Sequence, residues 1–347
     1  MKKKRITIHD IARLAGASSA TVSRVLSNSS YPVSDELRNK IRKIAEEHHY
    51  IPNRIGKQLK THDNLTIGAI IPTISNPFYA SIMLGIEEIA QQNGYHVFLC
   101  NSKQSAKLEE EYLKTLFENQ VEGVIVSSIS ADKKLLSHLL DLGMKVVAVD
   151  QHIEMKNVRQ IEFNYRKGGF IAVKHLIDNG HRKIAYITAP LDRPSRRSIF
   201  QGYQDALIEA GITPEEDYVQ IAEKESSLYD EIFEFENGRK LARNLLKLES
   251  PPTAVFACND LTAIGAIHEF TKQGVRVPED ISVVGFDNIE FGQMVMPALT
   301  TVNQPNYEMG KLACNILLDM IKNKHAPEIE IMLQPALVER DSVADIR

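Results

Sequence analysis

From Leu65 onward the chain repeats one pattern: a short apolar run that reads as a strand, then an amphipathic stretch that reads as a helix. The expected strands are Ile67–Ile71, Val97–Cys100, Val124–Ser127, Val146–Val149, Ile184–Thr188, Ala254–Cys258 and Val283–Gly285. Between them lie helical runs such as Ile82–Gln92, Leu108–Glu118, Leu135–Leu142, Gly169–Asn179, Gln201–Ala210, Gly238–Leu248 and Ala263–Gln273. Strands alternating with crossover helices build parallel, doubly wound sheets. About twelve such elements are more than one sheet holds comfortably, so the pattern predicts two similar α/β lobes in succession. The first lobe is expected over 65–163 plus about 293–323, and the second over 164–292 plus about 324–347. A last helix, Met309–Ile321, and terminal strands cross back between them. Ligands of open parallel sheets bind beyond the carboxyl ends of the strands, which places a binding cleft where the lobes face each other.

The first 52 residues read differently, as a small all-α unit. Thr7 caps a helix with Asp10 three residues on, a capping box with Asp in place of Glu, and Ile8, Ile11, Ala12 and Ala15 form its apolar stripe. Gly16-Ala17-Ser18 breaks that helix, and Ser18 caps a second one, from Ser19 to about Leu26. Two short helices across a glycine-containing turn make a helix-turn-helix, closed by a third helix after Ser34. Pro52 ends the unit. Residues 53–64 read as a hinge, one short helix over Asn53–Lys60 and a polar linker, too short to be stable alone.

Charge separates the two parts. Residues 1–62 hold 13 Lys and Arg against 5 Asp and Glu, a balance of +8, and the remainder carries −12. A basic head draws a polyanion by counterion release, while an acidic body keeps the rest of the surface off it. No apolar run approaches the roughly 18 residues of a membrane span. The basic start lacks the apolar core of a signal peptide, and Cys100, Cys258 and Cys314 sit singly in apolar segments, like reduced core thiols. These features predict a cytoplasmic protein without a membrane partner.

The segment Thr7-Ile-His-Asp-Ile-Ala-Arg-Leu-Ala-Gly-Ala-Ser-Ser-Ala-Thr-Val-Ser-Arg-Val-Leu26 closely resembles the head of the lactose/galactose repressor (LacI/GalR) family of bacterial transcription regulators. Further matching motifs are Tyr50-Ile-Pro-Asn53, Ser75-Asn-Pro-Phe-Tyr79, Gly180-His-Arg-Lys-Ile184, Cys258-Asn-Asp260, Val277-Pro-Glu-Asp280, Gly285-Phe-Asp287 and Pro297-Ala-Leu-Thr-Thr301, so the resemblance spans nearly the whole chain. It implies a homodimer on a near-palindromic double-stranded operator, with a body shaped like a periplasmic sugar-binding protein around a small-molecule effector. Ser19, Ala20 and Arg24 match positions that touch base edges, and a guanidinium can make two hydrogen bonds to guanine. Thr21, Ser23 and the amide-rich helix starts capped by Thr7 and Ser18 are expected on phosphates. Leu59 matches a hinge leucine that wedges into the minor groove, with Asn53 and Lys57 beside it on DNA. Gly56 stands where alanine is common and weakens that helix.

For the effector, the resemblance points to Phe78, Tyr79 and Asp150 in the first lobe and to Arg193, Ser195, Arg196, Phe233, Asn259 and Asp287 in the second. Two positions depart from the pattern. Phe163 stands where many relatives have aspartate, and Ile199 where many have an effector-binding arginine. The pocket is therefore either more apolar or rewired around Arg193, Arg196 and Arg197, and a basic cluster would suit a carboxylate or phosphate. Alternatively Arg196 and Arg197 only cap and solvate their helix. The effector class left open is a sugar, sugar acid or sugar phosphate.

An enzyme is the rival reading, yet the sequence holds no G-x-G-x-x-G, no P-loop and no G-x-S-x-G elbow. His48-His49 has no partner at zinc spacing, so neither metal nor cofactor is expected. A solute-binding protein would share the body but have no use for a basic head. A regulator that docks a phosphorylated carrier protein as corepressor stays open. No leucine-heptad tail precedes Arg347, which favours a dimer over a tetramer.

Overall fold

A computed structural model describes residues 6–27, 31–50, 65–130, 132–223, 233–323 and 330–347. The chain divides into two compact units, Met1–Asn64 and Leu65–Arg347.

In the first unit α1 (Ile8–Ala15), α2 (Ser19–Leu26) and α3 (Asp35–Glu47) enclose a small core of Ile11, Ala12, Ala15, Val22, Val25 and Ile41. The local signals act as expected. The Thr7 backbone N–H donates to Asp10 Oδ2 at 3.0 Å, and Asp10 N–H donates back to the Thr7 hydroxyl. Gly16 ends α1 at φ +68°, a left-handed conformation open to glycine at little cost. The Ser18 hydroxyl accepts from Thr21 N–H at 3.1 Å and starts α2. The hinge helix expected over Asn53–Lys60, with Gly56, Lys57 and Leu59, lies outside the described residues.

Among the described residues, the second unit holds two six-stranded sheets. The first contains β1 (Thr66–Ile71), β2 (His96–Asn101), β3 (Gly123–Val126), β4 (Lys145–Val149), β5 (Val158–Phe163) and β11 (Glu330–Leu333), in the order β2-β1-β3-β4-β5-β11 and parallel throughout. The second contains β6 (Ile184–Thr188), β7 (Val219–Ile221), β8 (Ala254–Ala257), β9 (Ser282–Asp287), β10 (Thr300–Asn303) and β12 (Ala336–Val338). It repeats that order as β7-β6-β8-β9-β10-β12, with only β12 antiparallel. Around the sheets pack α4 (Pro77–Gln92), α5 (Ala106–Glu118), α6 (Lys134–Asp141), α7 (Tyr165–Asp178), α8 (Pro194–Glu209), α9 (Phe233–Leu245), α10 (Asp260–Lys272) and α11 (Asn306–Lys322). The expected pair of doubly wound lobes is present.

The later lobe crossings fall elsewhere than expected. β10 pairs with β9, so residues through Asn303 stay with the second sheet, not with the first from about 293. Helix α11 then returns to the first lobe and packs on α4, β11 adds to β5, and only β12 ends on the second sheet. The chain thus crosses at 164, 304–305 and 334–335. The strand Thr300-Thr-Val-Asn303 escapes a search for apolar runs because its buried β-branched residues are mostly threonines. Strand β5 hides similarly: Val158-Arg-Gln-Ile-Glu-Phe163 interleaves polar residues with buried ones.

Candidate functional site

On the head, Val22 and Val25 bury one side of α2, while Ala20, Ser23 and Arg24 are exposed on the other. The hydroxyls of Thr7 and Ser18 are engaged as caps, and Ser18 Oγ also lies 2.8 Å from Thr21 Oγ1. What these caps leave toward solvent is the amide-bearing start of each helix, a natural anion seat. Ser19 Oγ is 3.0 Å from His9 Nδ1, and the Arg24 guanidinium stacks 4.0 Å above the Tyr31 ring. His9 and Tyr31 are thus partners of two expected base readers that motif matching alone did not single out.

The body carries a cleft of about 540 Å³, counting its open mouth, at the carboxyl ends of both sheets. Phe78, Tyr79, Asp150, Arg193, Ser195, Arg196, Asn259 and Asp287 all line it, as expected. Several owe their place to helix starts. Asn76 Oδ1 caps α4 by accepting from Phe78 N–H at 2.9 Å, and Asn259 Oδ1 caps α10 through Thr262 N–H at 2.9 Å. Asp150 and Asp287 end their strands at φ +65° and +112°, backbone states that side chains other than glycine rarely adopt and that cluster at ligand sites.

Four protein donors converge on Asp150, as many as a carboxylate has lone-pair sites. Tyr79 OH, Ser127 Oγ and Gln151 Nε2 donate to Oδ2 at 3.0, 2.9 and 3.0 Å, and Tyr165 OH donates to Oδ1. Burial, and then the Asp150 charge, hold both tyrosine hydroxyls well above their ordinary pKa, so they remain donors. Asp150 therefore organises the first-lobe wall, with Oδ2 fully engaged and Oδ1 held by Tyr165. Asp287 contrasts with it: one amide, Gln304 Nε2, donates to Oδ1 at 2.8 Å. Burial, reinforced by Asp260, Glu234 and Asp150, pushes its carboxyl well above the usual range.

Side chains meet across the mouth. Arg193 Nη2 donates to Gln104 Oε1 at 2.8 Å, Asn76 Nδ2 to Glu234 Oε2 at 2.8 Å, and Gln151 Nε2 to Ser195 Oγ at 2.9 Å. Of the two readings of the arginine run, the bland one fits Arg197, whose Nη1 donates to the carbonyls of Leu191 and Asp192. Arg196 reaches the cleft, yet its Nη1 is held by Pro190 O at 3.1 Å and Asp192 Oδ1 at 3.2 Å. Ile199 lines the cleft, whereas Phe163 packs edge-on against Tyr165 and Phe286 in the core.

Phe233 is not among the lining residues. It opens α9, and its neighbour Glu234 faces the cleft instead, since consecutive helical residues point about 100° apart. Tyr165, Gln151, Gln104 and Gln304 line the cleft without having been singled out in the sequence. Gln151 adjoins Asp150 and Tyr165 lies two residues past Phe163, and strand-end position was the available signal. Among the described residues no group of His, Cys, Asp and Glu could hold a metal ion, and no helix is long and apolar enough to cross a membrane.

Known proteins match both units. Residues 7–53 match the family model for bacterial regulatory proteins of the lacI family, and residues 173–343 match a periplasmic binding protein-like domain. The ribose operon repressor of Haemophilus influenzae is 36% identical over 98% of this chain and 99% of its own. The HTH-type transcriptional repressor PurR of Aliivibrio salmonicida is 35% identical over 97% and 98%. A lac repressor dimer solved bound to operator and the anti-inducer ONPF superposes with a TM-score of 0.81, at 26% identity, covering 98% of this chain and all of that one. With both the reading head and the cleft-bearing body matched along their length, the chain belongs to the lacI family of transcription regulators, whose members named here are repressors.

Proposed function

We propose that this repressor responds to a neutral monosaccharide held between its lobes. The observation that carries this is how the charges of the cleft are used. Of the three arginines that would have suited an anionic effector, Arg196 and Arg197 are tied to the 190–192 loop and Arg193 is engaged by Gln104, while buried Asp287 lines the cleft. A phosphate or carboxylate there would lie beside the Asp150 and Asp287 carboxyl groups and the amide oxygens of the cleft wall. A sugar instead finds Asp287 and side-chain amides for its hydroxyls, and the rings of Phe78 and Tyr165 for its C–H faces. Side chains that span the cleft directly favour one sugar ring over two. The relative named a ribose operon repressor makes D-ribose the leading candidate. A thermal-shift panel of neutral sugars, sugar acids, sugar phosphates and nucleobases tests this. Selective stabilisation is expected from a neutral monosaccharide; a response confined to a phosphate, an acid or a base would overturn the reading.

On DNA, the same proposal gives Ser19, Ala20 and Arg24 the base edges, and Thr21, Ser23 and the starts capped by Thr7 and Ser18 the phosphates. Asn53, Lys57 and Leu59 bind the operator centre. The unit acting is a homodimer on a near-palindromic site. Supporting this, Leu84 on α4 and Leu99 on edge strand β2 are 60% and 48% exposed on packed neighbours, and Phe98, on the other side of that strand, is 54% exposed, apolar surface suited to a second copy. Sugar occupancy and operator affinity are coupled reciprocally, whichever sign the coupling takes. The protein works in the cytoplasm and catalyses no reaction.

A further inference from the structure

Gln151 follows Asp150 at the end of β4, and only 5% of its surface is exposed. Its amide has two N–H donors and one carbonyl acceptor, and the two halves are used unequally. Nε2 donates to Asp150 Oδ2 at 3.0 Å within the first lobe and to Ser195 Oγ at 2.9 Å in the second. Oε1 is buried, lies on a residue that lines the cleft, and has no partner. Turning the amide over would not cure this, because Oε1 would then face the Asp150 carboxylate, acceptor against acceptor. The orientation is fixed by its surroundings, and an unmet buried acceptor is left at the junction of the lobes.

We propose that Gln151 Oε1 accepts one particular hydroxyl of the effector, making Gln151 a specificity-determining residue that also ties that hydroxyl to lobe closure. The proposal rests on the sugar reading above and refines it. Asp150 already takes three donors on Oδ2 and one on Oδ1, whereas the neighbouring Gln151 Oε1 has none and keeps its full capacity for a hydroxyl. A carbonyl acceptor repels phosphate and carboxylate oxygens, so the same atom selects against anionic sugars. Because Nε2 reaches Ser195, a hydroxyl that orders the amide also favours the closed arrangement of the lobes.

The test is calorimetric titration of full-length wild type and Gln151→Leu with D-ribose and its 1-, 2-, 3- and 5-deoxy analogues. In wild type, one analogue is expected to bind about ten- to a hundredfold more weakly than D-ribose, the size of a lost hydrogen bond to a buried group. In Gln151→Leu that penalty disappears, and D-ribose itself binds as weakly as the analogue. If Gln151→Leu does not give a cooperative melt, Gln151→Asn, whose shorter amide cannot hold all three positions, takes its place. If D-ribose binds and every deoxy penalty survives the substitution, the role of Gln151 is overturned while the sugar reading stands. If no neutral sugar of the wider panel binds wild type, both fall together.

Discussion

At the scale of single residues, the two partners of the recognition helix carry the first prediction. Arg24 is held over Tyr31, so its guanidinium is partly oriented before DNA arrives. Arg24→Ala is expected to weaken specific operator binding by about 1–3 kcal/mol and relax the preference at one base pair per half-site. A mobility-shift series with single-base operator variants measures it; uniform weakening on every sequence would reassign Arg24 to a phosphate. A second prediction concerns Asp260, which opens α10 beside Asn259. It is fully buried, accepts from the Thr301 hydroxyl and from Ile289 N–H at 2.8 Å, and burial pushes its pKa up to about 7. In the unfolded chain it ionises near pH ~4. The folded form thus favours the protonated acid: its contribution is full below about pH 4, falls as pH rises, and is gone once pH passes about 7. Asp287 acts in the same direction. Melting temperature should therefore fall between pH 5 and 7.5, and fall less steeply in Asp260→Asn. Equal slopes would mean that Asp260 stays ionised inside the fold.

At the scale of elements, the helix starts show what was legible and what was not. Helices placed from Ile82, Gly169, Gln201, Gly238 and Ala263 begin at Pro77, Tyr165, Pro194, Phe233 and Asp260. Their cores were readable because apolar residues recur at helical spacing wherever a helix covers a sheet. Their first turns were not, because those turns project beyond the strand ends and carry Phe78, Tyr165, Ser195 and Arg196, chosen for the cleft. Of the nine residues the resemblance pointed to, eight line the cleft and Phe233 does not. Two of the residues it missed, Gln151 and Tyr165, act through hydrogen bonds to Asp150 that no spacing rule encodes. Helix α8, which bears Ser195, Arg196 and Ile199, is positioned by a close crossing with α7. A Cβ on Gly202 would lie 2.0 Å from Arg166 O and 2.7 Å from Phe170 N, both main-chain atoms. Gly202→Ala should thus cost about 1–3 kcal/mol of stability and shift the cleft wall. Chemical denaturation and sugar titration check this, and an unperturbed protein would show that the crossing has slack.

At the scale of the whole molecule, the +8 balance of residues 1–62 predicts DNA binding that weakens log-linearly with salt. Leu59→Ala should reduce operator affinity and operator bending while leaving sugar binding at the wild-type level. A circular-permutation bending assay beside calorimetry reads both; an unchanged bend would remove Leu59 from the minor groove. The interleaved crossings carry a different consequence, for how the protein is made. The first sheet awaits β11 at 330–333 and the second awaits β12 at 336–338, so neither can be completed until those residues have left the ribosome. The head's three helices are all encoded by residue 47. A premature stop codon between residues 65 and 330 therefore truncates both lobes at once, and such nonsense products would keep the sequence proposed to read DNA but lose the complete cleft proposed to answer to the effector.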